Sequence, residues 1–249
     1  MVKALQKGGT LRETLSTIAW ALGIAIILRT FLFQPFHIPS GSMQPGLIQG
    51  DYIITSKYSL GYGKHAATPL PFPVKSGRLF EREPKRGDVI VFRPEGGRNN
   101  LIKRLVGFPG EQIQMISGIL YINGERVGVV TEGEEIRLDR YGNDDPVEVQ
   151  NETLPGGDTN RIYDDLKNST ADNTSVFTVP AGHYFFMGDN RDHSADSRVA
   201  APAGAGYVPT ENLMGKAEFV LLSVKRDFSI KKPWTWHKIN GKRFFKGVK

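Results

Sequence analysis

The stretch Asn100–Gly124, NLIKRLVGFPGEQIQMISGILYING, decides the fold class of this 249-residue chain. It holds three short apolar runs, Asn100–Val106, Gln112–Ile116 and Ile119–Ile122. Pro109-Gly110 punctuates them and Asn123-Gly124 closes the last. Asn-Gly after an apolar strand signals a hairpin, because both residues accept the positive φ that a tight turn requires. Working outward, similar runs recur at Asp51–Thr55, Asp88–Phe92, Ser175–Val179, His183–Met187 and Ala217–Leu222. Beyond residue 34 there is little helical periodicity. The sequence therefore predicts a mainly β protein, an antiparallel sheet core formed by residues 34–123 and 175–249. Residues 61–87, rich in Gly, Pro and basic side chains, read as an extended loop or ribbon. Residues 124–174 carry GEE, NDDP, GGDTN and KNSTADNT, and read as a small inserted cap domain with long loops. There is no internal repeat.

Composition narrows the chemistry. With no cysteine, disulfides, thiol nucleophiles and Cys-based metal sites are excluded. The net charge of +6 is local. Residues 225–249 hold nine Lys/Arg against the single acid Asp227, and the rest of the chain is slightly acidic. That distribution does not describe a body that binds nucleic acid. The tail interleaves Trp234, Trp236, Phe244 and Phe245 with Lys and Arg, a pattern suited to an interface with anionic lipid. A disordered basic tail has the same composition.

Thr14–Leu28, TLSTIAWALGIAIIL, contains no charge. Counted through Phe33, it would span roughly 30 Å as a helix, about one hydrocarbon core. Arg29 falls near its end, where a long side chain can reach the headgroups. The reading is one transmembrane anchor at 14–33 after a cytoplasmic N-terminus at 1–13. Lys3, Lys7 and Arg12 precede the run, and residues 34–53 contain no Lys or Arg, which places the rest of the chain outside the cytoplasm. A buried core helix and a cleaved signal peptide are the competing readings. The sequence FLFQPFHIPS after the run offers no small-residue cleavage site.

Three segments could carry chemistry. In Pro39-Ser40-Gly41-Ser42-Met43, two hydroxyls flank a glycine just beyond the apolar run. A nucleophilic serine needs a base. The five histidines are scattered, without metal-ligand or nucleophile-elbow spacing. No metal site or cofactor is expected. Lysine is the alternative base, provided burial lowers its pKa from about 10.4. Lys103 lies inside a strand-like run with Leu101 and Leu105 on its own face; a solvated strand edge is the bland alternative. The third segment, Gly188–Arg198 (GDNRDHSADSR), packs three carboxylates and two arginines beside an apolar strand. It is either a solvated loop or a hydrogen-bonded buttress. It lacks the ligand spacing of an EF-hand.

In order along the chain, the anchor, PSGSMQPGLIQGDYI at Pro39–Ile53, GDVIVF at Gly87–Phe92, IKRLVGFPGE at Ile102–Glu111, MGDNRDHSADSR at Met187–Arg198 and GYVPTENLMGKA at Gly206–Ala217 resemble the bacterial type I signal peptidases. These leader peptidases are membrane-anchored Ser-Lys endopeptidases. The resemblance covers well over half of the region beyond the anchor and implies a role for each matched position. Ser42 would be the nucleophile and Lys103 the general base. The Ser42 N–H and the Ser40 hydroxyl would form the oxyanion hole. Ser194 would orient Lys103. Asp196 and Arg198, with Asp189 and Arg191, would hold the loop. Phe36, Ile38, Met43, Leu47, Ile53 and Ile102 would line apolar pockets for the small residues of an A-x-A site. The partners implied are preprotein signal peptides and the bilayer of the bacterial cytoplasmic membrane. A specialised pilus or conjugation peptidase and a catalytically silent anchored assembly protein are the alternatives. Gly46 and the longer 199–205 stretch depart from the family pattern.

Overall fold

The charge-free N-terminal run folds as helix α1, Leu11–Ile27, and continues through a wider turn at Leu28–Leu32. The computed structural model describes residues 11–66, 74, 77–138, 144–156, 159–166, 169–225 and 227–248. Residues 1–10, with Lys3 and Lys7, and parts of the 61–87 and 124–174 segments lie outside the described residues. The apolar helical span runs Leu11–Leu32, with mean hydropathy 1.9 and 6% of its window buried in protein. Leu15, Ile18, Trp20, Leu22 and Ile24 are all more than half exposed. The buried-core-helix reading therefore does not hold. Strand β1, Phe33–His37, follows the helix without a linker and pairs antiparallel with β2, Asp51–Ser56.

Three antiparallel sheets follow. The remaining strands are β3 (Val89–Phe92), β4 (Leu101–Gly107), β5 (Gln112–Ile116), β6 (Ile119–Ile122), β7 (Glu125–Arg126), β8 (Gly128–Leu138), β9 (Asp144–Thr153), β10 (Thr159–Tyr163), β11 (Phe177–Thr178), β12 (His183–Met187), β13 (Val208–Pro209) and β14 (Leu213–Ser223). The main sheet has the order β1-β2-β14-β3-β4-β12-β13, and a second sheet the order β11-β5-β6-β7. The β6–β7 hairpin turns at Asn123-Gly124, with φ of 54° and 81°, as the Asn-Gly signal predicts. In β5, Ile113 and Met115 point inward while Gln112 and Gln114 face out, the period-2 alternation of a half-buried strand. The expected strand at Ser175–Val179 is shorter, Phe177–Thr178.

Three apolar clusters hold the sheets together. One joins β5 and β6 to β12 through Ile113, Leu120, Phe185 and Met187. A second lies under residues 38–47, with Ile38, Met43, Leu47, Ile53, Val89 and Val220. The third packs Phe92 on Phe186, ring centroids 4.5 Å apart, beside Leu105 and Leu213.

The 124–174 segment differs from its expected long loops. It contributes an antiparallel sheet of order β10-β9-β8 with two strands of ten residues or more. Its polar composition misleads because both faces of β8 are largely exposed, while Val147, Val149 and Tyr163 form a small core of their own. The C-terminal tail is also folded. Phe245 N–H donates to Val220 O at 2.8 Å, Val248 packs on the second cluster, and Arg243 forms a two-pronged ion pair with Asp51 at 2.6 Å and 3.0 Å. Trp234, Trp236 and Phe245 remain exposed.

Candidate active site

The segment after β1 turns sharply at Gly41–Leu47, where Gln44 N–H donates to Gly41 O and Leu47 N–H to Met43 O. Met43 and Leu47 anchor this turn in the second cluster, each 1% exposed. The anchoring presents Ser42, itself buried, towards β4. Strand β4 lies between β3 and β12, so Lys103 is not on an edge and is 3% exposed. Ile90 of β3 sits directly opposite it. The solvated-edge reading therefore fails. Lys103 Nζ lies 2.6 Å from Ser42 Oγ and 3.0 Å from Ile102 O. Burial lowers its pKa from 10.5 to about 8, although the charges of Asp196 and Asp189 oppose the fall. A lysine so held supplies a useful fraction of neutral amine near neutral pH.

Ser40 Oγ is 3.4 Å from Ser42 Oγ. The Ser42 N–H donates to no protein acceptor among the described residues. The two groups expected to bind an oxyanion thus flank the nucleophile candidate, one of them with a free donor. Ser42 and Lys103 open into a cavity of about 600 Å³ whose walls include Pro39, Gln44, Leu101, Arg137, Asn190 and His193. Arg137 comes from β8, so the inserted sheet forms part of this wall. The six expected pocket residues gather in one apolar cluster, with Ile38, Met43, Leu47 and Ile53 buried and Phe36 and Ile102 partly buried. Met43 and Leu47 also border a second cavity of about 410 Å³ behind the turn.

The Gly188–Arg198 segment is a hydrogen-bonded network rather than a solvated loop. Asp196 pairs with Arg198 at 2.9 Å and accepts from Gly188 N–H at 2.9 Å. Burial alone would raise the Asp196 carboxyl; Arg198 and the Gly188 N–H outweigh it and hold the group below its usual range. Asp189 pairs with Arg104 through two 2.7 Å bonds. Arg191 reaches into the inserted sheet, where both of its terminal nitrogens meet Glu152. Ser194 Oγ does not bond Lys103; it is buried on the Asp196 side of the site, where its hydroxyl helps hold that carboxyl below its usual range. It packs against Gly188, where an added Cβ would stand 2.2 Å from it and 2.5 Å from Ser42 O. Only glycine allows that approach.

Sequence reasoning missed three residues. Asn190 clamps the Ser42 turn: its N–H donates to Ser42 O at 3.2 Å and its Nδ2 to Gly41 O at 3.0 Å. Arg104 carried a signal, since strand alternation sends it to the face opposite Lys103. Glu152 carried none, because it lies in a distant polar insertion. Asp164, Asp172 and Asp192 bring carboxylate oxygens within 4.8 Å of one another. Burial and the charge of Asp192 push Asp164 up to about 7, so a held proton relieves their repulsion.

Residues 11–222 match the family model described as signal peptidase, peptidase S26. The chain belongs to that family. It is 39% identical over 226 residues to the signal peptidase I of Rickettsia typhi, covering 87% of this chain and 82% of the relative. Its identity to the signal peptidase I of Rickettsia felis is also 39%, over 87% and 81% of the two chains. A crystal structure of a signal peptidase I from Enterococcus faecalis is 27% identical, with a TM-score of 0.32 over 54% of this chain and 97% of the other. Membership of this peptidase family makes the chain a serine endopeptidase, and its exposed apolar helix marks it as membrane-anchored.

Proposed function

We propose that this signal peptidase cleaves through a Ser42–Lys103 dyad. The observation that carries the reading is the 2.6 Å contact between Lys103 Nζ and Ser42 Oγ inside the sheet, with the lysine pKa lowered to about 8. Neutral Lys103 accepts the Ser42 hydroxyl proton as Oγ attacks the scissile carbonyl carbon. The Ser42 N–H and Ser40 hydroxyl bind the resulting oxyanion; one such donor is worth about 2.7–4 kcal/mol. The Lys103 ammonium then protonates the leaving amine, giving an acyl-enzyme on Ser42. Neutral again, Lys103 removes a proton from the water that attacks the ester, and Ser42 leaves with that proton. Asp189, Arg191, Asp196 and Arg198 act by holding the loop that carries Asn190, and Ser194 by packing against Gly188. Phe36, Ile38, Met43, Leu47, Ile53 and Ile102 shape the apolar floor for small side chains.

The substrates on this reading are preproteins cut after a small residue of an A-x-A site. Residues 14–33 anchor the protein in the bacterial cytoplasmic membrane with the N-terminus in the cytoplasm. The catalytic core, 34–123 and 175–249, lies outside, with 124–174 as its cap and the exposed tail aromatics Trp234 and Trp236 against the lipid. Charge asymmetry about the helix supports this orientation. The test is processing of an A-x-A precursor by the purified full chain beside Ser42→Ala and Lys103→Met. Cleavage by wild type alone, after the second small residue, is expected. Near-normal kcat in either variant would remove that residue from the mechanism.

A further inference from the structure

The last carbonyls of a helix normally lack intrahelical partners. At the end of the anchor helix every one is taken, and Lys57 and Tyr62, just beyond β2, supply most of the donors. Leu28 O accepts from Phe33 N–H as the chain enters β1. Arg29 O and Thr30 O accept from Lys57 Nζ at 2.8 Å and 3.4 Å. Phe31 O accepts from the Tyr62 hydroxyl at 2.7 Å, and Leu32 O from Lys57 N–H at 2.9 Å. Lys57 is 1% exposed, although it is a lysine immediately beyond strand β2. A cation at this end of a helix also opposes the negative pole of its dipole. The Phe31 and Tyr62 rings meet edge to face, 6.2 Å apart.

A swivel between anchor and domain would need free backbone dihedrals at the junction, and none are left. The turn at 28–32 runs straight into β1, which is paired over its whole length with β2. Ile38 N–H donates to Asp51 O at 2.8 Å, and the Gly41–Leu47 turn follows. Apart from Pro39 and Ser40, the path from helix to Ser42 is strand or backbone-bonded segment.

We propose that Lys57 and Tyr62 are positioning residues that lock the anchor helix to the catalytic sheet, so that Ser42 is held at a set height and tilt above the bilayer. The enzyme then selects, in precursors embedded in the membrane, the peptide bond that reaches this height. The proposal rests on the reading of the apolar helix as a membrane anchor.

The experiment uses full-length Lys57→Met and Tyr62→Phe reconstituted in vesicles beside wild type. Each is given an A-x-A precursor embedded in the same vesicles and a short soluble peptide spanning the same site. Expected is a fall of about 10–100-fold in kcat on the embedded precursor, of the size a misplacement near 1 Å produces, with the soluble peptide cleaved at the wild-type rate. The peptide doubles as a folding control. Equal losses on both substrates would mean a merely structural role and overturn the proposal, as would no loss on either. Alkaline carbonate extraction separates the two readings. A wild-type chain released from the vesicles would overturn anchor and lock together. A retained chain whose variants fail to discriminate would overturn the lock alone.

Discussion

Lys103→Met asks whether the proposed base is kept in the fold at the expense of stability. The lysine pKa falls from 10.5 to about 8 on folding. At about 1.4 kcal/mol per tenfold change in proton affinity, burial of the ammonium opposes folding by ~3 kcal/mol. The sign follows from the two pKa values. Below about 8 the lysine is protonated in both states and the full penalty applies. Between about 8 and 10.5 the unfolded chain binds the extra proton, so stability rises with pH. Above 10.5 the penalty is gone. Methionine removes the charge at similar volume. It also removes hydrogen bonds to Ser42 Oγ and Ile102 O, each worth about 1 kcal/mol net. At pH 7 the variant is expected to be more stable than wild type by about 1–2 kcal/mol while losing cleavage. By pH 10.5 the order reverses. Thermal and denaturant unfolding of the full chain in detergent at pH 7, 9 and 10.5 measures this. A variant less stable than wild type by the same margin at every pH would refute the argument.

Cleavage of a soluble peptide should rise with pH through about 8 and fall on acidification as Lys103 becomes protonated; a flat profile from pH 5 to 9 would count against a lysine base. Asn190→Ala removes the amide that holds Gly41 O and should lower kcat about 10–100-fold with KM little changed, as read by steady-state kinetics. Asp189→Ala leaves the buried Arg104 guanidinium without its carboxylate and should destabilise the fold by about 3–5 kcal/mol in denaturant unfolding. Glu152→Gln weakens the contact between the inserted sheet and the catalytic loop and should lower activity and stability together; an unchanged unfolding midpoint would show that the pair holds nothing.

The sequence carried the parts of this molecule that depend on neighbours along the chain. Alternation along β5, the Asn123-Gly124 turn, the apolar anchor and the Ser42 turn all follow from local chemistry. The Ser42–Lys103 pairing needed the family motifs, because Lys103 in a strand reads equally well as solvated until β3 and β12 enclose it. Partners of the buried charges were least legible. Asp189 chose Arg104 across the sheet and Arg191 chose Glu152 in the insertion, since in a dry interior each charge takes whichever opposite charge the tertiary fold brings within reach. Neither choice leaves a spacing signature. The insertion misled for a related reason: a ribbon exposed on both faces looks polar, and its strand character lies in backbone pairing that composition does not record.

The order of strands in the main sheet has a consequence for biosynthesis. Strand β14, last in sequence, is inserted between β2 and β3, and Arg243, later still, closes on Asp51 beside the nucleophile turn. The anchor is complete by Leu32, so at elongation rates of about 5–20 residues per second it precedes β14 by on the order of 10–40 s. Throughout that interval β2 and β3 lack the strand that joins them in the finished sheet, so Ser42, beyond β1, and Lys103, on β4, belong to halves not yet bridged. On the proposed Ser42–Lys103 reading, cleavage thus waits until the chain has been extended through β14, long after its anchor is complete.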